Sequence, residues 1–493
     1  MIETHWGAYL AILVGPEGPL LVRDPSGLMP CYYQCRDGHV LVASDMAWAR
    51  LAGDFAPEIC WSEIHAQLQY YSRRTARTAL ETISELPPGS ALQLGKGALR
   101  SVPLWNPYAF TAAWDSPIAL AEAADRLRRA ASLSIGAWAR ASSRPLVEIS
   151  GGLDSSIVAA ASAPNAAMLQ AVTFRGGPAD LDETPYARTV ADHLGIPLHC
   201  ELLSTEVVDL RKSAAVDLPR PTVRSFSQAN DRQALELGQR IGCDAFFVGT
   251  GGDNVLWYFN TAAPALDRLR IEGVGGFLRT IGDLAEMCEV PWTTALAIAI
   301  RKQLQRRPRP WPQMLLFLSP QGRQPASVPP HPWWPAPPGT LPGVRAYVRA
   351  LIQMYDHHDY HLRAAHAPVI SPLVSQPIVE ACLRIPSWLS CTGGNNRAVA
   401  RAAFADALPA GIIGRRTKGG FDGFVHNLLE RNRAVAREML LDGQLAKGGW
   451  LDREAIDHCL ANPAPIPPDW SNRLMRLIAV ETWLESVRSR RDG

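Results

Sequence analysis

One short stretch combines residue types that suit phosphate chemistry. Residues 146–157 read Leu-Val-Glu-Ile-Ser-Gly-Gly-Leu-Asp-Ser-Ser-Ile, an apolar run that breaks into Ser-Gly-Gly and then into Asp-Ser-Ser. Adjacent glycines let a backbone approach an anion closely, and a helix that follows offers unpaired N–H groups and the positive end of its dipole. Ser155 and Ser156 can cap that helix or donate hydroxyl groups to phosphate. Because no Gly-Lys-Ser/Thr follows, a P-loop is excluded and a different nucleotide chemistry is indicated; the alternative is an ordinary strand-to-helix turn.

Alternating strands and helices must position this stretch. Apolar runs predict further buried strands at residues 171–174, from residue 198, and at residues 245–248, with a helix over residues 185–194. Such alternation predicts a parallel, doubly wound α/β sheet. Ligands bind at the carboxyl ends of the strands in sheets of this kind.

Length, charge and cysteine content narrow the class of protein. At 493 residues the chain exceeds what one core usually supports, so two or three domains are expected. The 49 Lys and Arg residues against 47 Asp and Glu residues give a formal net charge of +2, which argues against a nucleic-acid partner. The nine cysteines form no CxxC pair and are expected to be reduced thiols. No stretch is long and apolar enough to span a bilayer, so we expect a cytoplasmic protein without a membrane partner.

The first hundred residues carry short apolar strands broken by turn residues, which predicts an all-β or α+β layer. Residues 23–33 read Arg-Asp-Pro-Ser-Gly-Leu-Met-Pro-Cys-Tyr-Tyr, which resembles the RDPxGxxPLYY segment in the glutaminase domain of asparagine synthetases. Residues 43–45 and 86–89 match the later "SE" and "LPPG" segments of that family in order and spacing. The resemblance implies an α+β, Ntn-type glutaminase-like sandwich over residues 1–110 and a synthetase domain over residues 111–493.

The glutaminase of that family needs a cysteine at its mature N-terminus, where one residue supplies the nucleophile and its own amine. Ile2 stands at that place here. Cys31 and Cys35 lie in a turn-and-strand segment, where a small apolar role is expected. We therefore expect a domain that keeps the fold but produces no ammonia, so that the amine comes from the substrate itself.

The phosphate stretch resembles the SGGxDSS pyrophosphate loop of the ATP-pyrophosphatase fold, which implies an adenine nucleotide α-hydrolase-like domain that cleaves ATP between its α- and β-phosphates. The residues that this resemblance places against ATP are Ser150, Gly151, Gly152, Leu153, Asp154, Ser155, Ser156, Val172, Thr173, Phe174, Gly249 and Lys418. Residues 249–254 read Gly-Thr-Gly-Gly-Asp-Asn, where asparagine synthetases carry GxGxDE and use its Asp with the Asp of the loop to hold Mg²⁺. The resemblance thus implies that Asp154 and Asp253 are the metal ligands and serve catalysis. Mg²⁺ favours one or two carboxylates together with phosphate oxygens.

Two later segments refine the resemblance. Residues 371–380 read Ser-Pro-Leu-Val-Ser-Gln-Pro-Ile-Val-Glu, which is closer to the lasso-peptide cyclases, the macrolactam-forming branch of the asparagine synthetase and β-lactam synthetase family, than to asparagine synthetases. Lys418, in Arg-Thr-Lys-Gly-Gly-Phe, matches a lysine that in β-lactam synthetases stabilises the acyl-adenylate and the oxyanion; the alternative is a solvated lysine. Pro368 and Ile370 replace a Glu and an Arg of asparagine synthetases, which puts free aspartate as the substrate in doubt.

The sequence leaves two alternative roles open for each of two segments. Residues 306–342 are rich in proline and tryptophan, which predicts an extended loop that is either an aromatic, peptide-contacting lid or an inert surface insertion. A helix is predicted over residues 344–362, with a group of histidines around its end, at 357–366. His357 and His361 share a helical face and could hold a metal, but no acidic or thiolate partner stands at fixed spacing, so residues lining a cleft are favoured.

Taken over the chain, the resemblance implies an ATP-dependent lasso-peptide macrolactam synthetase that uses ATP and Mg²⁺. An Asp or Glu side chain of a leaderless core peptide would be adenylated, and the peptide's N-terminal amine would then form an isopeptide bond, with release of AMP and pyrophosphate. The partners implied are the precursor peptide, a leader-binding protein and a leader peptidase. One alternative is an asparagine-synthetase-like ligase that uses ammonia or another small amine. Another is an inactive peptide- or nucleotide-binding scaffold.

Overall fold

A computed structural model describes most of the chain. The residues described are 1–16, 18–36, 38–47, 58–70, 72, 74–94, 99–111, 114, 118–176, 182–222, 227–304, 311–358, 362–417, 422–462 and 464–490. All nine cysteines lie within these ranges and are free thiols. Among the same residues, no helix combines the length and the apolar character needed to cross a membrane.

The N-terminal region forms two antiparallel sheets. Its elements are β1 (Leu10–Gly15), β2 (Gly18–Arg23), β3 (Tyr32–Arg36), β4 (His39–Ala43), α1 (Trp61–Gln69), β5 (Ser84–Glu85), β6 (Ser90–Gln93) and β7 (Arg100–Pro103). One sheet has the order β1-β2-β6-β7 and the other has the order β4-β3-β5. Leu21 and Leu92 of the first sheet share a small buried cluster with Cys31 and Leu86, which flank strands of the second. The strands that the sequence predicts over residues 8–14, 20–23, 40–44 and 91–94 are confirmed as β1, β2, β4 and β6, and β3 lies in the predicted turn-and-strand segment. The sequence does not predict α1, β5 or β7.

Five parallel strands form the sheet of the larger C-terminal part. Strands and helices alternate as β8 (Pro145–Glu148), β9 (Gln170–Arg175), β10 (Leu198–Leu202), β11 (Ala245–Phe247) and β12 (Val369–Ile370), with α2 (Leu120–Arg140) before β8, and α3 (Leu153–Ser162), α4 (Thr184–Leu194) and α5 (Gln228–Ile241) between the first four strands. The strand order is β10-β9-β8-β11-β12, and each neighbouring pair is parallel. The predicted parallel α/β sheet is confirmed.

Both faces of this sheet are covered, because successive residues of a strand point to opposite sides. Val147 and Phe247 belong to the large core that α2 and α3 share. Their sequence neighbours Leu146 and Phe246 belong to a separate cluster with Leu237 of α5. Strands that are buried on both sides read as continuous apolar runs, which is why the sequence predicts them well.

Helices make up most of the remaining described structure. They are α6 (Gly252–Val255), α7 (Ala263–Met287), α8 (Trp292–Leu304), α9 (Pro342–Met354), α10 (Gln376–Leu383), α11 (Ala398–Ala403), α12 (Ala410–Ile413), α13 (Asp422–Arg431), α14 (Arg433–Asp442), α15 (Gln444–Lys447), α16 (Arg453–Ala461) and α17 (Pro468–Ser489). The helix predicted over 344–362 is wrong in its end, since α9 stops at Met354 and a 3₁₀ turn over Tyr355–His357 follows.

Along its described residues, 311–342, the proline- and tryptophan-rich segment places a few side chains in the core, while most of its residues are partly or fully exposed. Trp311 and Trp333 are buried, and the Trp333 ring lies 5.1 Å from that of Trp105 and 5.7 Å from that of Tyr355. These contacts anchor the segment between the N-terminal region and the end of α9; the two predicted roles, a peptide-contacting lid and an inert insertion, stay predictions.

Candidate active site

The stretch over residues 146–157, which is predicted to bind phosphate, lies where the strand order of the parallel sheet reverses. β8 pairs with β9 on one side and with β11 on the other. In open α/β sheets the crevice at such a reversal is the usual ligand site. Asp154 stands in the first turn of α3, after β8, and Asp253 in the first turn of α6, after β11. Because β8 and β11 are neighbours, both acids stand at the same edge of the sheet.

Glycines bring the two turns into direct contact. Gly151 has a φ of +66°, and a Cβ atom added there would collide with Tyr186. A Cβ atom added at Gly252 would lie 2.6 Å from Cγ of Asp154. Since backbone of the second turn packs directly on the Asp154 side chain, the position of Asp253 relative to Asp154 is fixed.

The serines of the stretch differ in role. The Ser150 N–H donates to Oγ of Ser155 over 3.2 Å, and the Gly152 N–H donates to Oγ of Ser150 over the same distance. Ser156 is fully buried, and its hydroxyl donates to the carbonyl of Gly152. Ser156 therefore stabilises the turn from inside, and its contact with phosphate stays a prediction.

A cleft of about 930 Å³ opens at this edge of the sheet. The residues predicted to bind ATP that line it are Ser150, Gly152, Leu153, Asp154, Ser155, Val172, Thr173, Phe174 and Gly249. Gly151 and Ser156 are not part of its lining. Other walls carry Tyr258, Phe259 and Met287. The volume lies at the upper end of the range of about 300–1,000 Å³ that small-molecule sites occupy.

Arg397 joins the two acids. Its Nη1 atom lies 2.6 Å from Oδ1 of Asp154 and 2.8 Å from Oδ1 of Asp253. Its guanidinium carbon stands 5.3 Å from the ring centre of Tyr258, and only 6% of the residue is exposed. One nitrogen thus marks the point on which both carboxylates converge.

The backbone of Arg397 is in the left-handed region, with a φ of +57°, immediately before α11. The residue before it, Asn396, donates from Nδ2 to the carbonyl of Phe259, which ties this loop across the cleft. Sequence reasoning does not find Arg397, although one signal exists. A cation at a helix N-terminus is unfavourable, so an arginine there indicates nearby acids.

Further basic residues reach the cleft from the segment after α12. The Arg415 guanidinium lies 2.9 Å from Glu183, stacks 3.8 Å over the Tyr186 ring and donates to the carbonyl of Ser150. Arg416 and Thr417 also line the cleft. Lys418 itself lies outside the described residues, so its predicted role stays a prediction.

Asn254 and the histidines at 357–366 are the remaining positions that the sequence analysis considers. Asn254 donates from Nδ2 to the carbonyl of Ala350 over 2.7 Å, a contact that fixes α6 against α9. His357 lines the cleft, as the favoured interpretation of the histidines requires, while His361 lies outside the described residues. No group of three or more His, Cys, Asp or Glu side chains among the described residues could hold a metal ion.

The two positions considered for a glutaminase nucleophile, Ile2 and Cys31, are both buried. Ile2 is buried, and its carbonyl accepts a hydrogen bond from Nε2 of Gln376 over 2.9 Å. Burial raises the pKa of the Cys31 thiol to about 12, so this thiol is not a ready nucleophile.

Comparison with known families decides the relationship. The family profile described as Asparagine synthase matches residues 126–485. The chain belongs to the asparagine synthase family. Membership of the asparagine synthase family implies an ATP-dependent ligase that forms amide bonds. The match runs from within α2 to within α17 and includes the whole parallel sheet and both acids. No curated protein sequence matches the chain.

The residues present fit a magnesium ion. Asp154 and Asp253 offer hard oxygen atoms that converge on one point, and Mg²⁺ is commonly held by one or two carboxylates with phosphate oxygens completing the shell. In this structure the guanidinium of Arg397 lies at the point where the two acids converge. The two acids are therefore suited to an arginine side chain as well as to a magnesium ion.

Proposed function

We propose that this member of the asparagine synthase family is a lasso-peptide macrolactam synthetase. The reaction joins a side-chain carboxylate of a leaderless peptide to the N-terminal amine of the same peptide, with ATP cleaved to AMP and pyrophosphate. A leader-binding protein and a leader peptidase would supply that substrate. The main support is the resemblance of residues 371–380 to the macrolactam-forming branch, in a chain that belongs to a family of ATP-dependent amide ligases.

Two positions support a substrate other than free aspartate. Pro368 precedes β12, and its carbonyl oxygen accepts a hydrogen bond from Phe246 N. Ile370 lies in β12, and its carbonyl oxygen accepts a hydrogen bond from Val248 N. Ile370 is buried. Neither position offers the charged side chain that the resemblance assigns to asparagine synthetases.

The residues of the cleft would share the work as follows. The Gly-Gly turn and the first turn of α3 would hold phosphate oxygens by backbone N–H groups. Asp154 and Asp253 would hold Mg²⁺, which when bound offsets the charge of the departing pyrophosphate. Lys418 would stabilise the acyl-adenylate and the oxyanion of amine attack. Holding amine and activated carboxylate together can lower the barrier by roughly 7–11 kcal/mol.

We further propose that residues 1–110 form a glutaminase-like domain of the Ntn type that no longer produces ammonia, ahead of a synthetase domain over residues 111–493. The two antiparallel sheets, the buried Ile2 and the high pKa of Cys31 support this proposal. An intramolecular amine makes an ammonia source unnecessary.

A paired assay tests the proposal. The protein is incubated with ATP and Mg²⁺, first with a synthetic leaderless peptide that has a free N-terminal amine, and then with aspartate and ammonium. We expect pyrophosphate, AMP and a peptide that has lost one water in the first reaction, and no asparagine in the second. The same peptide with an acetylated N-terminus is the control, and it should release no cyclic product. Asparagine formation would contradict the proposal.

A further inference from the structure

We propose that Arg397 holds the metal position of the nucleotide-free protein and is exchanged for the metal when nucleotide binds. The inference rests on the proposed function, since it concerns the same two acids and the nucleotide beside them. It adds a positioning role for a residue outside every motif that the sequence indicates.

The contact geometry is the first argument. A single nitrogen, Nη1, bridges Oδ1 of Asp154 and Oδ1 of Asp253 at 2.6 and 2.8 Å. A metal ion that both oxygens coordinate would have to occupy the position of that nitrogen. Guanidinium and metal therefore exclude each other at this point.

Charge balance is the second argument. Both carboxylates contact the Arg397 guanidinium, and Arg401 lines the same cleft close enough to interact with the charge of Asp154. A divalent cation would neutralise both carboxylates, but it would repel the guanidinium strongly in a buried site. Metal binding is thus an exchange of cations, and any affinity that Arg397 has for the acids subtracts from the affinity of the metal.

The surroundings of Arg397 show why it can leave. Its φ of +57° is unusual for a residue other than glycine, and such strain concentrates at sites that change state. Among the described residues, its buried Nε atom has no hydrogen-bond partner. A guanidinium that leaves the acids has free donors in the cleft, and its planar fork suits two phosphate oxygens. Arg397 would then hold the nucleotide that displaced it.

Metal binding without nucleotide is the direct test. Mn²⁺ titrations of the full chain, followed by electron paramagnetic resonance, compare the native protein with Arg397→Met. We expect the variant to bind Mn²⁺ roughly tenfold more tightly or better, within the usual range of coupled binding. With a non-hydrolysable ATP analogue present, the same variant should bind the analogue more weakly than the native protein does.

Arg416→Met is the matched control, because Arg416 lines the same cleft and contacts Glu286 and Glu289 at 3.8 and 3.7 Å instead of the two acids. It should leave Mn²⁺ affinity nearly unchanged. Should Arg397→Met fail to fold by circular dichroism, Arg397→Gln provides the same comparison. Unchanged Mn²⁺ affinity in a folded Arg397 variant, or equal tightening in Arg416→Met, would overturn the inference. Neither outcome depends on which substrate the enzyme uses, so it is separable from a failure of the proposed function.

Discussion

Two clusters of buried charge in this protein have opposite compositions. At Glu85 a single carboxylate faces three guanidiniums, with Arg23, Arg74 and Arg220 at 2.7, 2.9 and 2.7 Å. At the cleft a single guanidinium faces two carboxylates. The first cluster adjoins a cavity of about 70 Å³, and the second opens into about 930 Å³.

The difference separates a structural cluster from a binding site. Although burial alone would raise the pKa of Glu85, the guanidiniums of Arg74, Arg220 and Arg23 hold it well below its ordinary value. Arg23 also donates to the carbonyls of Gly27 and Leu86, so its charge is dispersed over fixed groups. By contrast, Asp253 lines the open cleft, and 37% of its side chain is exposed. A carboxylate that ligands can reach is suited to bind a cation.

The largest effect is expected at the structural cluster. Glu85→Gln leaves three buried guanidiniums without their carboxylate, and breaking a buried ion pair from one side costs about 3–5 kcal/mol. Denaturant unfolding should show this loss, while activity per folded molecule stays close to native. Glu122→Gln, which breaks the exposed pair with Arg126, is the control and should cost about 0.5 kcal/mol or less. A cost that small for Glu85→Gln would remove the distinction between the clusters.

The cleft should respond in the reverse way. Asp154→Asn keeps the shape of the side chain but removes charge from the point where the two acids converge. Activity should fall by roughly 10²–10³-fold, the range for losing one preorganised electrostatic contact. The free energy of unfolding should change far less than in Glu85→Gln. Severe destabilisation with little loss of activity per folded molecule would show that the cleft pair is structural.

A third buried acid, Asp267, accepts hydrogen bonds from uncharged groups, and it should make the stability of the fold depend on pH. It accepts hydrogen bonds from Gly343 N and Ser387 Oγ, and burial raises its pKa from 3.8 to about 7. A raised pKa means that the folded state keeps its proton longer than the unfolded state does. Stability should therefore fall as pH rises from about 4 to about 7 and then level off.

Asp267→Asn removes this titration while its amide can keep both hydrogen bonds. Unfolding free energies measured across that pH range should fall less steeply in the variant than in the native protein. Identical slopes would mean that Asp267 does not titrate as its burial implies.

The sequence predicts the parts of this fold that local pattern controls. Continuous apolar runs predict β8, β9 and β11, and glycine turns with acids predict that Asp154 and Asp253 end neighbouring strands. Arg397 is 243 positions from Asp154 along the chain, and no local pattern encodes that contact. The packing of Trp333 in the core is equally non-local, because proline density predicts an extended chain but not what covers it. Ser155 and Ser156 are neighbours in a helix and therefore point in different directions, so Ser155 lines the cleft and Ser156 does not. The composition of the stretch does not predict which of the two serines faces the cleft.

The central claim is that a peptide carboxylate is activated at the α-phosphate of ATP. Following the carboxylate oxygen into the products tests this claim most directly. A leaderless peptide whose Asp or Glu carboxylate carries heavy oxygen is incubated with the protein, ATP and Mg²⁺, and the products are analysed by mass spectrometry. We predict one heavy oxygen in AMP for each cyclic peptide formed. Heavy oxygen in inorganic phosphate, with ADP as the nucleotide product, would contradict the account.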